Sequence, residues 1–354
     1  MPTFTAITEL IKRTAAELCF DAAGIAPVRA FPELDYFSQW LAAGRAGDMR
    51  YLEARDENGE LKRASLRRVA PWAKSVIVCA KNYNTAPPYS IEFHEPEHGW
   101  ISRYAWSQRD YHDVLLNALR QLEAEVREAA HEPGMETRCY VDTGPLVERV
   151  YARYAGIGWL GKNTCIINQR LGSWLFLGVI LTSLELEPDL PAPDRCGSCT
   201  RCLEACPTDA IVAPYELDAQ RCISYLTIEK RGEIPEDLRA QIGRHVFGCD
   251  ICQDVCPWNR RAPITTAEEF QPRDRLVNPA LQWLAELGAE EFSNQFRGSA
   301  IKRAKRSGLR RNAAVAMGNS SDRRFVPALE KLAQDPDETV AEHARWALQQ
   351  LEEL

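Results

Sequence analysis

Apolar residues recur along this chain with two different periods, and the alternation between them predicts its elements. Ile7, Leu10, Ile11 and Leu18 fall at helical spacing and predict an amphipathic first helix within residues 1–18. The same stretch lacks the basic-then-apolar order of a signal peptide. Leu115, Leu119, Leu122 and Val126 lie at i, i+4, i+7 and i+11, predicting a longer amphipathic helix over 110–130. Between them stand short runs rich in β-branched or aromatic residues. These predict strands at Val76-Ile-Val-Cys-Ala80, Cys139-Tyr-Val141, Cys165-Ile-Ile167 and 174–181. Pro145 suits the first turn of a further helix reaching residue 156. The longest apolar run, 174–184, is too short to span a bilayer and reads as a buried strand.

Both periods stop at Glu187-Pro-Asp-Leu-Pro-Ala-Pro-Asp194, a proline-rich joint. Beyond it comes Cys196-Gly-Ser-Cys199-Thr-Arg-Cys202-Leu-Glu-Ala-Cys206-Pro207, the C-x2-C-x2-C-x3-C-P run of bacterial-type ferredoxins. Three thiolates at this spacing hold corners of one cubane cluster, and the fourth ligates its neighbour. A second set follows, Cys249-Asp-Ile-Cys252-Gln-Asp-Val-Cys256-Pro257. Its regular first position is Val246, which cannot ligate iron, and Cys222 stands in. Cys196, Cys199, Cys202 and Cys256 are therefore assigned to one [4Fe-4S] cluster, and Cys206, Cys222, Cys249 and Cys252 to a second. Zinc or structural disulfides fit two proline-terminated runs poorly. Cys19, Cys79, Cys139 and Cys165 read as buried small residues. Of twelve cysteines eight sit in cluster spacing, which points to a reducing, cytoplasmic setting without membrane association.

From about residue 278 the pattern is purely helical, with short helices over 307–317, 323–333 and 338–351. The breaks fall at Gly318-Asn-Ser-Ser-Asp322 and Asp335-Pro-Asp337. This resembles a HEAT-type unit and part of another, too little for a solenoid, so it is expected to cap the preceding domain and present a surface. Lys302, Arg303, Lys305, Arg306, Arg310 and Arg311 crowd before and within the unit with no acid among them. The net charge of −7 argues against indiscriminate nucleic-acid binding, so such a patch marks either a solvated face or a local phosphate contact. With 354 residues, three domains are expected, at 1–185, 186–272 and 273–354.

No G-x-G-x-x-G or Walker sequence accompanies the strands, so neither a dinucleotide fold nor an NTPase is supported. Clusters move electrons singly, and a large N-terminal domain implies chemistry there. Tyr140-Val-Asp142-Thr-Gly-Pro145 places a carboxylate at a strand end before a tight turn. Asp142 is read either as a cap for the helix near Pro145 or as a general acid toward an oxygen leaving group. In the second case, partial burial against an anionic reduced cofactor raises its pKa. Glu148 and Arg149 follow as orienting groups or surface charge. His112 is a helix-start histidine or a contact to substrate or cofactor. Gly156-Ile-Gly-Trp-Leu-Gly161-Lys162-Asn163-Thr164 is a glycine-rich loop suited to a flat ligand, a phosphate or an ordinary turn.

Together these segments resemble the epoxyqueuosine reductases, which complete queuosine in tRNA. The resemblance is carried by Ser102-Arg-Tyr-Ala-Trp, Asp110-Tyr-His112, Val141-Asp-Thr-Gly-Pro-Leu146, the loop over 156–164 and Gly172-Ser-Trp-Leu-Phe-Leu-Gly178. It continues through both cysteine runs, Cys222-Ile-Ser-Tyr-Leu-Thr-Ile-Glu229 and Cys256-Pro-Trp-Asn259. What it implies is an α+β protein with an N-terminal mixed α/β cobalamin-binding domain, a bacterial ferredoxin-like domain with two [4Fe-4S] clusters and a C-terminal all-α HEAT-like domain. The implied reaction reduces epoxyqueuosine to queuosine at the wobble position of tRNAs with GUN anticodons, in a monomer fed by an external low-potential donor of flavodoxin or ferredoxin type. Asp142 matches the family's proton donor, Arg63 the Arg near the corrin, and Ser224 with Lys162 and Asn163 the lining of that pocket. Lys230, Arg231 and the basic run over 302–311 are the expected tRNA contacts.

Two departures stand out. Ser107 occupies a position where Gly is expected, and Asp110-x-His112 lacks the following Gly of the D-x-H-x-x-G corrin motif, so no replacement histidine ligand is implied. The rival readings are a cobalamin-dependent reductive dehalogenase and a non-catalytic iron–sulfur electron carrier or redox sensor.

Overall fold

A computed structural model of the chain describes residues 4–86 and 88–353, so positions 1–3 of the expected first helix lie outside it. That helix, α1, runs Phe4–Glu17. The N-terminal part is built on a four-stranded antiparallel sheet of β1 (Ala22–Pro27), β2 (Ser75–Asn82), β3 (Thr137–Tyr140) and β4 (Leu175–Thr182), in the order β1-β2-β4-β3. Both faces are covered, which explains why β2 reads as a continuous apolar run. Ile25, Ile77, Cys79 and Ile180 point to one face, against α1 and the long helix α3 (Tyr111–Ala130). Ala26, Val76, Val78 and Val179 point to the other, against α2 (Pro32–Ala42) and α4 (Glu148–Tyr154). The period of 110–130 is realised as foreseen, with Leu115, Leu119, Leu122 and Val126 buried and Asp110 capping the first turn through the His112 amide.

Two elements had no sequence signal. β1 consists of small residues and α2 begins on a proline, so neither carries a clear period. A third element starts late. The helix expected from Pro145 begins at Glu148, because Arg63 donates to the Gly144 carbonyl (3.0 Å) and holds the preceding turn open. Its N-cap is Val147, with no side-chain cap bond, so Asp142 is not a helix cap. Ser107 keeps φ negative and donates to the Tyr104 carbonyl, so the missing glycine costs the loop nothing.

The cysteine runs fold as short turns and single-turn helices at Arg201–Glu204 and Ile251–Asp254. Between them, helix α5 (Ile223–Ile228) begins directly after Cys222. The C-terminal helices α6 (Lys305–Asn319), α7 (Val326–Leu332) and α8 (Glu338–Glu352) pack on one another and on α5. No helix among the described residues is long and apolar enough to cross a membrane.

The joint between α6 and α5 corrects one expectation. Arg311 is 2% exposed and donates to the carbonyls of Leu226 (2.7 Å), Lys230 (3.0 Å) and Gly232 (2.8 Å), while Asn312 reaches those of Thr227 and Val246 (both 2.8 Å). Arg311 is therefore a structural cation, not an RNA contact. Arg310 is likewise committed inward, to Asp335 (2.5 Å) and the Ala285 carbonyl (2.8 Å). Removing the Arg311 side chain strands several buried carbonyls. Arg311→Ala is expected to destabilise the C-terminal unit by about 3 kcal/mol. Arg311→Lys should recover little, because one ammonium cannot span the same fork. Thermal unfolding of both variants checks this, with Lys302→Ala, an exposed change, as the unaffected control.

Candidate active site

All twelve cysteines are free thiols, and eight of them gather around two hollows. Cys196, Cys199, Cys202 and Cys256 line a small one of about 30 Å³ with Ile167 and Trp258. Cys206, Cys222, Cys249 and Cys252 lie on the wall of a larger cavity of about 390 Å³ between the sheet and the cysteine runs. These are the two sets expected from spacing, including the exchange of Cys206 and Cys256 and the use of Cys222. Burial and the charges of neighbouring cysteines push the thiols of Cys202 and Cys256 up to about 11, and burial also raises Cys222 and Cys249. Four thiolates so placed need cations between them, and cluster iron supplies that charge.

Polar side chains of the second run fix it to the N-terminal part. Asp250, 1% exposed, accepts from the Trp100 indole (3.0 Å), the Ser102 hydroxyl and the Arg103 amide (2.8 Å). Asn259 of the Cys-Pro-Trp-Asn ending accepts from the Ser173 amide (2.7 Å) and donates to the Gln253 carbonyl (2.7 Å). A Cβ at Gly172 would stand 2.3 Å from Asn259 Oδ1, which is why that motif needs glycine.

The glycine-rich loop is the tip of a hairpin, Trp159–Leu160 with Ile166–Ile167. Lys162 does not reach the large cavity. Its Nζ donates to the Gly197 (2.7 Å) and Cys199 (2.9 Å) carbonyls, clamping the loop of the first cysteine set. Asn163 borders both hollows and donates to the Cys252 carbonyl (3.2 Å). Ser224 lies on the large cavity as expected. Arg63 does not line it: its guanidinium bonds the Tyr51 (2.7 Å) and Gly144 carbonyls and so braces the turn that carries Asp142.

Asp142 has φ +57°, a left-handed backbone that a non-glycine residue adopts only under constraint. The turn aims its carboxylate into the large cavity, where the Tyr111 hydroxyl donates to Oδ2 at 3.1 Å. Burial, then the Asp142 charge, hold the Tyr111 phenol well above its ordinary pKa, so it serves as a donor. The burial expected for Asp142 is not provided by the chain, whose carboxylate side chain is 70% exposed. The buried carboxyl beside it is Glu148. Burial pushes Glu148 up to about 7, aided by the Asp142 charge, and its Oε1 finds no hydrogen-bond partner within the chain. On its nonpolar side the cavity is walled by Leu175, Phe176, Ile223 and Ile251, and through Arg149, Thr164 and Leu217 it adjoins a groove of about 850 Å³. An apolar wall, an orphaned carboxyl oxygen and an adjoining groove fit a large cofactor with an apolar body and a polar periphery.

Sequence reasoning gave no role to Asp250, Tyr104 or Tyr111. Asp250 carried one signal, an acid between two cluster-type cysteines that neither spacing nor solubility requires.

The basic positions divide. Lys302, Arg303 and Lys305 are exposed, Arg303 pairing with Glu229 (2.7 Å) and lying over the Tyr51 ring (5.3 Å). Arg231, also exposed, donates to the Arg303 carbonyl (2.8 Å), and Lys230 pairs with Asp48 (3.0 Å). Arg306 donates to the Leu287 carbonyl (2.8 Å) and is half-buried. Tyr51 stands between the guanidinium groups of Arg63 and Arg303, so the basic segment meets the Asp142 loop at one edge of the molecule.

Comparison with known proteins agrees with this geometry. Residues 195–259 match the family described as a 4Fe-4S double cluster binding domain, and residues 63–143 match the one described as epoxyqueuosine reductase QueG, DUF1730. An epoxyqueuosine reductase of Gloeobacter violaceus is 44% identical over 319 residues, 88% of this chain and 96% of the relative. A crystal structure of an epoxyqueuosine reductase with a tRNA-Tyr epoxyqueuosine-modified stem loop superposes with a TM-score of 0.87 at 32% identity, covering 99% of this chain and 91% of that one. A Bacillus subtilis epoxyqueuosine reductase, described with its catalytic aspartate loop swung out of the active site, gives 0.86 at 31% identity and covers the same shares. With iron–sulfur centres of the double-cluster type and this likeness over nearly its whole length, the chain belongs to the epoxyqueuosine reductases, a family of oxidoreductases.

Proposed function

We propose that this chain reduces the epoxide of epoxyqueuosine to the alkene of queuosine at the wobble position of tRNAs with GUN anticodons, with Asp142 protonating the departing oxygen. The observation that carries the reading is that one cavity receives both Asp142 and the second set of cysteines. An electron source and a proton donor thus face the same space. The overall change takes up two electrons and two protons and releases one water.

Cobalamin is the cofactor assigned to the larger cavity, where its corrin would lie between the Leu175–Ile223 wall and the Asp142 loop, with Ser224 and Asn163 at its edge. When bound, it supplies a strongly reducing metal centre to the epoxide carbon. The chain's own residues do the rest. Tyr111 orients Asp142 Oδ2, Arg63 holds the turn through Gly144, and Glu148 offers its free oxygen to the cofactor's rim. In the Bacillus subtilis relative the catalytic aspartate loop swings out of the active site, which supports a movable loop here, poised on the strained Asp142 backbone.

The first cysteine set, half-exposed at Cys196 and Cys199, suits entry of electrons from an external flavodoxin- or ferredoxin-type donor. We assign the three functional regions as 1–185, 186–272 and 273–354, the last a HEAT-like unit in a monomeric protein. Lys230, Arg231, Lys302, Arg303, Lys305 and Arg306 are assigned to the tRNA-facing edge; the relative that binds a tRNA stem loop supports tRNA as the substrate. Exposed charges at the rim of this edge act mainly through phosphate.

Asp142→Asn is expected to retain cobalamin and both clusters yet lose at least about 100-fold in turnover, the size of a general-acid contribution. Nucleoside mass spectrometry of the treated tRNA measures it, and wild-type turnover would remove Asp142 from the mechanism. Cys256→Ala and Cys249→Ala should each halve bound iron. Their electron paramagnetic resonance spectra should differ, since each removes a different cluster. An unchanged iron content in either variant would overturn that ligand's assignment.

A further inference from the structure

The strand end that carries Asp142 is a wall with two sides. Asp142 borders the large cavity, whereas Cys139, Tyr140, Val141 and Thr143 border a separate hollow of about 310 Å³. His112 and Asp110 complete that second hollow. The His112 ring spans from one side to the other. Its Nδ1 lies 2.7 Å from Asp110 Oδ1, and its Nε2 lies 3.9 Å from Asp142 Oδ2.

We propose that His112 is the proton inlet of this enzyme, taking a proton from solvent in the second hollow and passing it from Nε2 to Asp142 between turnovers. The proposal rests on the reading of Asp142 as the proton donor. After Asp142 has protonated the leaving oxygen it is a carboxylate, and it cannot act again until recharged. With cofactor and RNA bound, water would be excluded from the cavity side. The second hollow lies on the other side of the same strand end, bordered by Val141 and Thr143 on either side of Asp142.

The transfer is balanced within the chain. The Nε2–H bond breaks and an O–H bond forms on Asp142, turning imidazolium into neutral imidazole and carboxylate into carboxylic acid. The imidazole then regains its proton from water in the hollow, and no electron moves. Asp110 keeps the remaining proton on Nδ1, which fixes Nε2 as the donating atom. A gap of 3.9 Å exceeds a hydrogen bond, and either a single water or a rotation of the exposed Asp142 side chain closes it.

The electrostatics favour the charged form of the ring. Burial alone would lower the His112 pKa, but the Asp110 hydrogen bond and the charges of Asp110, Asp142 and Asp113 outweigh it and raise the value above normal. The Tyr111 ring stacks beside it at 4.0 Å, and Arg273 is the nearby cation whose charge acts on Asp110. The imidazolium is therefore held to higher pH than in an ordinary histidine and lost as pH climbs past the raised value, so the supply fails on the alkaline side.

The test uses the holoenzyme with stem-loop RNA bearing the epoxide. In His112→Gln the first turnover, followed by rapid quench, should match wild type, while the steady-state rate on the acid side of the His112 titration falls at least about tenfold and the two enzymes converge as pH rises past it. Exogenous imidazole should restore His112→Ala toward the wild-type rate. Independently of activity, ring NMR should show His112 titrating above ordinary histidine, and Asp110→Asn should lower it. Wild-type steady-state turnover by His112→Gln overturns the inlet, as does equal loss of first and later turnovers without imidazole rescue. The underlying reading fails separately: Asp142→Asn with a normal first turnover sinks the proton donor, whatever His112 does.

Discussion

Asp250 sits 1% exposed between two cysteines and accepts from the Trp100 indole, the Ser102 hydroxyl and the Arg103 amide. A carboxylate in that position is costly to bury unless it is fully hydrogen-bonded, and here each donor comes from a loop about 150 residues away. The bonds therefore make the cysteine run and the sheet domain one rigid body. Arg103 extends the joint, bonding the Asn84 side chain (3.1 Å) and lying over the Trp174 ring (4.9 Å). Asp254 and Asn259 repeat the device, reaching Ser90 and Ser173. The floor of the large cavity is thus set from both sides before any cofactor enters.

Against that fixed floor stands a single constrained turn. Asp142 occupies a left-handed backbone, Arg63 holds the Gly144 carbonyl, and α4 cannot begin until Glu148. On the proposed reading, a preorganised cysteine wall and a constrained turn bearing a carboxylate would deliver electrons and protons from different sides. The Asp142 side chain stays solvent-accessible, while its neighbours Tyr111 and Glu148 carry the burial.

The elements legible in the sequence have strong local signals. The helix over 110–130 follows from four apolar positions, and the eight cysteines from spacing that only iron–sulfur chemistry explains. Spacing even points to Cys222, since Val246 cannot serve. What is illegible depends on tertiary partners. Ala22–Pro27 becomes a strand because β2 pairs with it, not because its small residues prefer extension. The basic run over 302–311 reads as one patch because charge counting ignores which way a side chain faces. In the fold, α6 turns Arg311 inward to α5 and leaves Lys302 and Lys305 outside. Lys162 differs from expectation in a similar manner, its cation clamping backbone carbonyls beside the first cysteine set and not reaching the large cavity.

Cys222 differs from the other seven cysteines in having no companion within a tight run. Its position is inherited from α5, and α5 is bolted by Arg311 and Asn312 to the C-terminal helices. The terminal helices, remote in sequence from both cysteine runs, thereby act as a splint for one thiol on the wall of the large cavity. The ferredoxin-like segment is consequently not a detachable module: excised at its apparent boundaries, it would leave behind the scaffolding that keeps its loneliest thiol in place.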